Sequence, residues 1–290
     1  SMNETITLVL GFTLPCLMTT LGAALVFFFK KSSKLINMIT IGLAAGIMLS
    51  ASIWSLLLPA LENAEESWGD LSFIPVVLGF LIGGIFMIVL DFVSSKFSPK
   101  DKTLEDTNNF SKENAEKILK NQETSEKTNK KRAFKLFSAI TIHNIPEGLS
   151  VGFTLGTAVA TQSSFLVALM FALGIALQNF PEGLATSLPL YNCLGNKKKA
   201  FWLGTLSGIV EPIFAIAGFF LAASISSLLP WLLAFSAGAM IYVIIEELLP
   251  ETHFGEKASV GTWAFMIGFV IMMILDICCL LYTSDAADEL

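Results

Sequence analysis

The sequence predicts an all-α polytopic membrane protein with eight transmembrane helices. Of its 290 residues, 54% are hydrophobic and only 14% are charged, whereas a soluble domain averages about 45–50% apolar and about 25% charged residues. The apolar residues suffice for roughly seven or eight spans of about 20 residues each. This composition excludes an ordinary soluble enzyme and a disordered chain. The net charge of −6 argues against a nucleic-acid partner, because surfaces that bind nucleic acids are basic.

Eight apolar runs make up the predicted structure, which we treat as a single transmembrane domain over residues 1–290. Each run is long enough to cross a hydrocarbon core about 30 Å thick. A helix is the expected state, because a backbone in lipid must satisfy its own hydrogen bonds. Spans 1 to 8, the names used below, cover approximately residues 5–29, 36–58, 72–95, 134–157, 163–191, 200–224, 230–250 and 259–282.

The basic residues predict how the spans are oriented in the bilayer. All 18 Lys and Arg lie in the connections between spans 1 and 2, 3 and 4, 5 and 6, and 7 and 8, which an eight-span chain places on one side. The positive-inside rule assigns that side to the cytoplasm, so both termini are predicted to lie outside (N-out/C-out). Residues 96–133 are polar and charged and are predicted to form a flexible cytoplasmic loop, and residues 281–290 resemble a non-native tail.

Two adjacent spans carry nearly the same motif. H-N-I-P-E-G-L in span 4 (143–149) matches Q-N-F-P-E-G-L in span 5 (178–184) at five of seven positions. A fainter match links A-G-x-M in span 2 (45–48) to A-G-x-M in span 7 (237–240). Because the matched spans run in opposite directions, the sequence predicts repeats inverted across the membrane plane, in a 3+2+3 arrangement. Inverted repeats around a midplane site are typical of secondary transporters.

Three carboxylates lie near the middle of predicted spans: Glu147 in span 4, Glu182 in span 5 and Glu211 in span 6. An ionised acid at the bilayer centre costs about 2.5–3.5 kcal/mol on insertion scales. A buried ion pair would offset that cost, but no Lys or Arg occurs within the core of any span. These acids must therefore be protonated or bind a cation.

Nitrogen and oxygen ligands surround these carboxylates at helical spacing. His143 and Glu147 are four residues apart and face one side of span 4, and the same spacing recurs in span 5. Pro146 and Pro181 cannot donate a backbone hydrogen bond and so loosen each helix beside the ligands. Such ligands without a thiolate suit Zn²⁺, Fe²⁺, Mn²⁺ or Cd²⁺ and disfavour Cu(I). The candidate metal ligands are His143, Asn144, Glu147, Gln178, Asn179, Glu182 and Glu211.

The two motifs, with Glu211-Pro212 in span 6, resemble the ZIP (Zrt/Irt-like protein) family of divalent-metal transporters. The Gln-Asn start of the second motif is similar to the GufA-like branch of that family. The resemblance implies a homodimer that moves ions toward the cytoplasm by elevator-like alternating access, with spans 2, 4, 5 and 7 moving as a unit. A multi-pass location in a bacterial inner membrane is expected.

The resemblance also implies a binuclear site with two metal positions that share Glu147 and Glu182. Some relatives have Asp where this chain has Asn179, so the second position is less negative here. The first position would use His143, Glu147, Gln178 and Glu182, and the second Asn144, Glu147, Asn179, Glu182 and Glu211.

Further acidic residues lie toward the predicted ends of the spans. Glu246 and Glu247, followed by Glu251 and His253, lie toward the cytoplasmic end of span 7. They either line an exit route for the ion or form a solvated helix end. Asp91 and Asp276 are interpreted as polar anchors or caps near helix ends.

An intramembrane metal-dependent hydrolase is the alternative function. A catalytic zinc needs protein ligands, an open position and a base, yet H-E-x-x-H is absent and one His lies within the predicted spans. A structural or receptor-like protein would leave three intramembrane acids unexplained. We therefore expect a transporter and not an enzyme, with the divalent ion as cargo and no catalytic cofactor.

Overall fold

The computed structural model describes residues 2–30, 34–97, 134, 137–138, 140–142, 144–160, 165–224, 226–252 and 258–288. Within these ranges the chain is helical apart from short turns, and it contains no strand. The predicted all-α class is confirmed. His143, His253 and residues 98–133, which include most of the predicted cytoplasmic loop, lie outside the described residues.

The helices follow the predicted spans to within a few residues at most ends, but span 2, predicted to end near residue 58, continues to Trp68. Span 1 is Met2–Ala24 with a 3₁₀ turn at Leu25–Phe28, span 2 is Lys34–Ala51, Ser52–Leu57 and Leu58–Trp68, span 3 is Phe73–Phe97, and the described core of span 4 is 144–160. Span 5 is Phe165–Leu194, span 6 is Lys197–Ser224, span 7 is Leu229–Val243, Ile244–Leu248 and Leu249–Thr252, and span 8 is Ala258–Asp288. Span 8 thus continues through most of the segment predicted to be a non-native tail.

Seven helices among the described residues are long and apolar enough to cross a membrane. They correspond to every predicted span except span 4, and they make the chain a multi-pass integral membrane protein. The eighth span stays a prediction, because part of span 4 lies outside the described residues. The seven are Glu4–Phe28, Leu35–Leu71, Phe73–Val93, Phe165–Leu194, Lys197–Ala222, Leu229–Leu248 and Ser259–Cys278.

Glycines bring the helices together in four close pairs. A Cβ added at Gly152 in span 4 would lie 1.7 Å from the carbonyl oxygen of Ala215 in span 6. One added at Gly46 in span 2 would lie 1.9 Å from the carbonyl oxygen of Phe265 in span 8. Similar contacts join spans 1 and 5, and spans 3 and 7. Only glycine permits backbones to approach this closely, which is how small residues act between membrane helices.

The close pairs group the helices into two bundles. Spans 1, 4, 5 and 6 form one bundle, because spans 1 and 5 each also pack against span 6. Spans 2, 3, 7 and 8 form the other, in which spans 2 and 3 also contact span 7. We call these the motif bundle and the outer bundle. The grouping differs from the unit of spans 2, 4, 5 and 7 that the family resemblance implies.

Two helices of the outer bundle are interrupted by π-helical segments. Ser52–Leu57 interrupts span 2, and Ile244–Leu248 interrupts span 7. Each segment begins six residues after the glycine of the A-G-x-M sequence, which is Gly46 in span 2 and Gly238 in span 7. Isolated π turns inside α-helices occur frequently at functional sites.

Candidate functional site

The motif residues of spans 4, 5 and 6 lie together in the interior of the motif bundle. Six of the seven candidate ligands are within the described residues, and each of the six is at most 2% exposed to solvent. Such complete burial is unusual for acids and amides unless they have partners. The six are Asn144, Glu147, Gln178, Asn179, Glu182 and Glu211.

Amide groups connect the three helices. Gln178 Nε2 in span 5 donates to Glu147 Oε1 in span 4. Asn179 Nδ2, also in span 5, donates to Glu211 Oε2 in span 6 at 2.6 Å. Two adjacent residues of span 5 therefore hold one carboxylate on each neighbouring helix. These two hydrogen bonds bring together residues of spans 4, 5 and 6, the three spans that carry the motifs.

Asn144 extends the network from span 4 to span 6. Its Nδ2 donates to the carbonyl oxygen of Ser207 at 2.9 Å, one helical turn before Glu211. Because each of these amide NH₂ groups faces an acceptor, the orientation of each amide plane is fixed by its own hydrogen bond. The amide oxygens must then point away from those acceptors.

The three amide oxygens are the most informative atoms of the site. Asn144 Oδ1, Gln178 Oε1 and Asn179 Oδ1 are buried and accept no hydrogen bond from the described part of the chain. A buried carbonyl oxygen without a donor costs roughly 1–3 kcal/mol, and three occur here, one in span 4 and two on consecutive residues of span 5. Amide and carboxylate oxygens are ligands that hard and borderline divalent cations accept.

The carboxylates place negative charge in the same region. Glu211 lies near enough to Glu147 and Glu182 for direct electrostatic interaction with both. No Lys or Arg occurs in residues 136–196 or 200–256, which carry all three acids. The negative charge of these acids must therefore be removed by protonation or balanced by a bound cation.

The described His, Cys, Asp and Glu side chains do not make a metal site by themselves. Among the residues that the structure describes, no three of these side chains are grouped closely enough to hold one ion. The candidate site therefore depends on its amides and on His143, which lies outside the described residues. The assignment of these amides and carboxylates as metal ligands stays a prediction.

Thr19 of span 1 belongs to the site but was missed by sequence reasoning. It is fully buried, and its Oγ1 lies within donating distance of two acceptors, Glu211 Oε1 at 3.4 Å and the Pro15 carbonyl oxygen at 3.2 Å. Thr19 is one of five threonines in predicted span 1, and nothing in the sequence distinguishes it from the others. Its position emerges only when span 1 is packed against spans 5 and 6.

Asp276 is more buried than its interpretation as a helix-end anchor implied. It is 6% exposed, and its Oδ1 accepts a hydrogen bond from Ser55 Oγ in span 2 at 2.8 Å. A Cβ at Gly174 in span 5 would lie 3.6 Å from that hydroxyl. Gly174 is one turn before Gln178 on span 5, so Asp276 lies beside the candidate site on the predicted outer side. Asp91 is exposed, in agreement with a helix-end position.

The predicted exit-route residues fall on an irregular part of span 7. Glu246 and Glu247 lie within its π-helical segment, with Glu246 exposed and Glu247 half-buried. Glu251 lies in the short helix that follows. His253 is outside the described residues.

Comparison with known proteins identifies the family. The model of the ZIP zinc transporter family matches residues 4–276. The chain belongs to the ZIP family. The predicted resemblance is thereby confirmed, and the family is one of transporters and not of enzymes.

Similar proteins come from animals and bacteria. The zinc transporter ZIP11 of Xenopus tropicalis is 37% identical, covering 92% of this chain and 96% of its own length. The zinc transporter GufA of Myxococcus xanthus is 34% identical, covering 89% of this chain and 93% of its own length. The zinc transporter ZupT of Chlorobaculum parvum is 33% identical, over 89% and 92% respectively. The similarity to GufA agrees with the predicted branch of the ZIP family.

Proposed function

We propose that this ZIP-family protein transports divalent metal ions, zinc first among them, toward the cytoplasm through a binuclear site on spans 4, 5 and 6. The observation that carries the proposal is the set of three buried amide oxygens that accept no hydrogen bond from the described chain, beside carboxylates in two stretches, residues 136–196 and 200–256, that contain no Lys or Arg. A divalent cation would satisfy both the oxygens and the charge. The zinc transporters ZIP11 and GufA, as named, point to zinc.

The proposed site has two metal positions that share Glu147 and Glu182. The first adds His143 and Gln178, and the second adds Asn144, Asn179 and Glu211. The bond from Gln178 to Glu147 and the bond from Asn179 to Glu211 support this division. Nitrogen and oxygen ligands of this kind also accept Fe²⁺, Mn²⁺ and Cd²⁺, which we propose as further substrates.

The helix pairs support the proposed inverted repeat and eight spans with N-out/C-out orientation. The proposed repeat relates span 1 to span 6, span 2 to span 7, span 3 to span 8 and span 4 to span 5. Under this relation, the close contact between spans 1 and 5 corresponds to the contact between spans 6 and 4. The contact between spans 2 and 8 likewise corresponds to the contact between spans 7 and 3. The π-helical segments of spans 2 and 7 exchange as well. A repeat of this kind gives a transporter two related conformations, open to opposite sides.

We propose that alternating access is elevator-like, with the motif bundle moving against the outer bundle. The glycine contacts within each bundle leave no room for internal rearrangement, because added Cβ atoms would meet backbone. The motif bundle also contains every described candidate ligand.

The cytoplasmic exit is proposed to be lined by Glu246, Glu247, Glu251 and His253. The homodimer and the bacterial inner-membrane location stay predictions, and chemical crosslinking in native membranes would test the dimer.

Metal uptake into proteoliposomes tests the proposed function. Wild-type protein is expected to take up zinc, and Glu147→Gln/Glu182→Gln is expected to abolish uptake, because both metal positions lose their shared ligands while the side-chain shape is kept. Glu65→Gln, an exposed acid outside the site, is the matched control and should transport as wild type does. Wild-type vesicles without metal-specific uptake would refute the proposal. Metal-dependent cleavage of peptides or lipids would instead favour the hydrolase alternative, which no present observation supports.

A further inference from the structure

Span 1 contributes a side chain to the site through Thr19. The Thr19 hydroxyl is fully buried and lies 3.4 Å from Glu211 Oε1 and 3.2 Å from the carbonyl oxygen of Pro15 in its own helix. The other oxygen of Glu211 accepts from Asn179 Nδ2 at 2.6 Å. Spans 1 and 5 thus each place a donor within reach of one oxygen of this carboxylate, and the single proton of the Thr19 hydroxyl is shared between Glu211 and Pro15.

The packing around Thr19 leaves it little freedom to move. A Cβ at Gly183 in span 5 would lie 2.1 Å from the Thr19 carbonyl oxygen. A Cβ at Gly208 in span 6 would lie 2.9 Å from Thr19 Cβ and 3.2 Å from its Oγ1. Spans 5 and 6 therefore both pack tightly against Thr19 at the level of Glu182 and Glu211. A hydroxyl fixed in this way directs the carboxylate that it contacts.

The repeat gives an independent reason to attach a role to this position. The glycine after Glu147, Gly148, packs against the backbone of Glu211, with an added Cβ 2.4 Å from the Glu211 carbonyl oxygen. The glycine after Glu182, Gly183, packs in the same way against Thr19. Thr19 therefore occupies on span 1 the position that Glu211 occupies on span 6. One side of the bundle presents a carboxylate and the other presents a hydroxyl that contacts it.

We propose that Thr19 is a positioning residue for the second metal position, which it serves by orienting the Glu211 carboxylate toward the ion. The inference rests on the proposed transport function. Partners that orient a metal ligand typically contribute about 10–100-fold to metal affinity. Loss of the hydroxyl should therefore weaken zinc binding without removing any ligand.

Four variants isolate the hydroxyl of Thr19. Thr19→Ala and Thr19→Ser both remove the methyl group and differ only in the hydroxyl, and Thr19→Val keeps the branched shape without it. Thr20→Val is the matched control, because the Thr20 hydroxyl donates to the carbonyl oxygen of Cys16 within span 1 at 2.9 Å. The readouts are the KM and maximal rate of zinc uptake in proteoliposomes and the zinc affinity and stoichiometry in detergent.

We expect Thr19→Ala and Thr19→Val to raise KM and the zinc dissociation constant at least about tenfold. Thr19→Ser and Thr20→Val should stay close to wild type. If wild type transports zinc and Thr19→Ala retains its KM, the inference is wrong. The same holds if Thr19→Ala and Thr19→Val lower only thermal stability. If wild type itself transports no zinc, the proposed function fails first, and the two failures are therefore distinguishable. Thr19→Ala introduces no added bulk, so the test does not depend on whether Thr19→Val folds.

Discussion

At the scale of single residues, the amide groups distinguish this site from an ordinary buried cluster. Each NH₂ is used in a hydrogen bond and each buried amide oxygen is left without a donor from the described chain. A side chain selected only for packing would have no reason to keep that oxygen, since an apolar side chain of similar shape avoids its desolvation cost. The proposed binding of a cation would account for the polarity of these positions.

Asn179→Asp tests the charge of the second metal position. The change replaces a donor to Glu211 with a second carboxylate, so the metal-free protein should melt at a lower temperature because two buried acids then face each other. Zinc binding should tighten about tenfold or more, since one extra unit charge at contact distance exceeds 1.4 kcal/mol even at an effective dielectric constant of about 20. Thermal unfolding with and without zinc, and titration calorimetry, measure both effects.

Asn192→Asp is the control for that substitution. Asn192 lies in the same helix, beyond the motif; the residue is partly buried, and its Oδ1 also accepts no hydrogen bond from the described chain. The same chemical change there should leave zinc binding unaltered. Equal effects of the two substitutions would mean that general charge, and not the second metal position, governs affinity.

At the scale of helices, glycine contacts set the geometry that brings the ligands together. Gly152 packs against Ala215, one turn after the level of Glu147 and Glu211. Gly152→Ala would place a Cβ 1.7 Å from the Ala215 carbonyl oxygen, so spans 4 and 6 must separate. We expect a destabilisation of about 1–3 kcal/mol and strongly reduced uptake, measured by thermal unfolding in detergent and by vesicle transport.

Gly84→Ala provides the comparison, because nothing lies within 4 Å of the Cβ that it adds in span 3. Alanine is the better helix former by about 1 kcal/mol, so this variant should be as stable as wild type or more stable. A similar loss in both variants would show that helix flexibility, and not close contact between spans 4 and 6, is what glycine provides.

Helix extents were largely predictable from the sequence, and the irregular segments were not. Apolar runs and the positions of charged loops mark where a chain enters and leaves the bilayer, so the predicted spans agree with the helices to within a few residues at most ends. The π-helical segments at Ser52–Leu57 and Ile244–Leu248 leave no mark in hydropathy. Motif spacing predicted that the acids and amides of spans 4, 5 and 6 belong to one site, whereas the positions of Thr19 and Asp276 depend on which helices pack together, which periodicity does not encode.

At the scale of the whole molecule, the two bundles share an extensive apolar interface, in which span 5 packs against spans 2 and 8, and a few polar contacts lie within it near the candidate site. The hydroxyls of Ser150 in span 4 and Ser236 in span 7 lie 2.7 Å apart. Ser236 Oγ also donates to the carbonyl oxygen of Pro146 at 2.9 Å, directly beside Glu147. A neutral hydroxyl contact of this kind contributes only about 0.5–1.5 kcal/mol. It can therefore hold one conformation and still be broken during transport.

A disulfide between the bundles tests which helices move. Ser150→Cys/Ser236→Cys, in a protein whose native cysteines are replaced by alanine, places two thiols where the hydroxyls are in contact. If the motif bundle moves against the outer bundle, oxidation should stop zinc uptake and reduction should restore it. If spans 2, 4, 5 and 7 move as one unit, spans 4 and 7 travel together and the oxidised protein should keep transporting. Each single-cysteine variant, oxidised in parallel, should transport as the reduced double variant does, so that a loss of uptake is attributable to the crosslink itself.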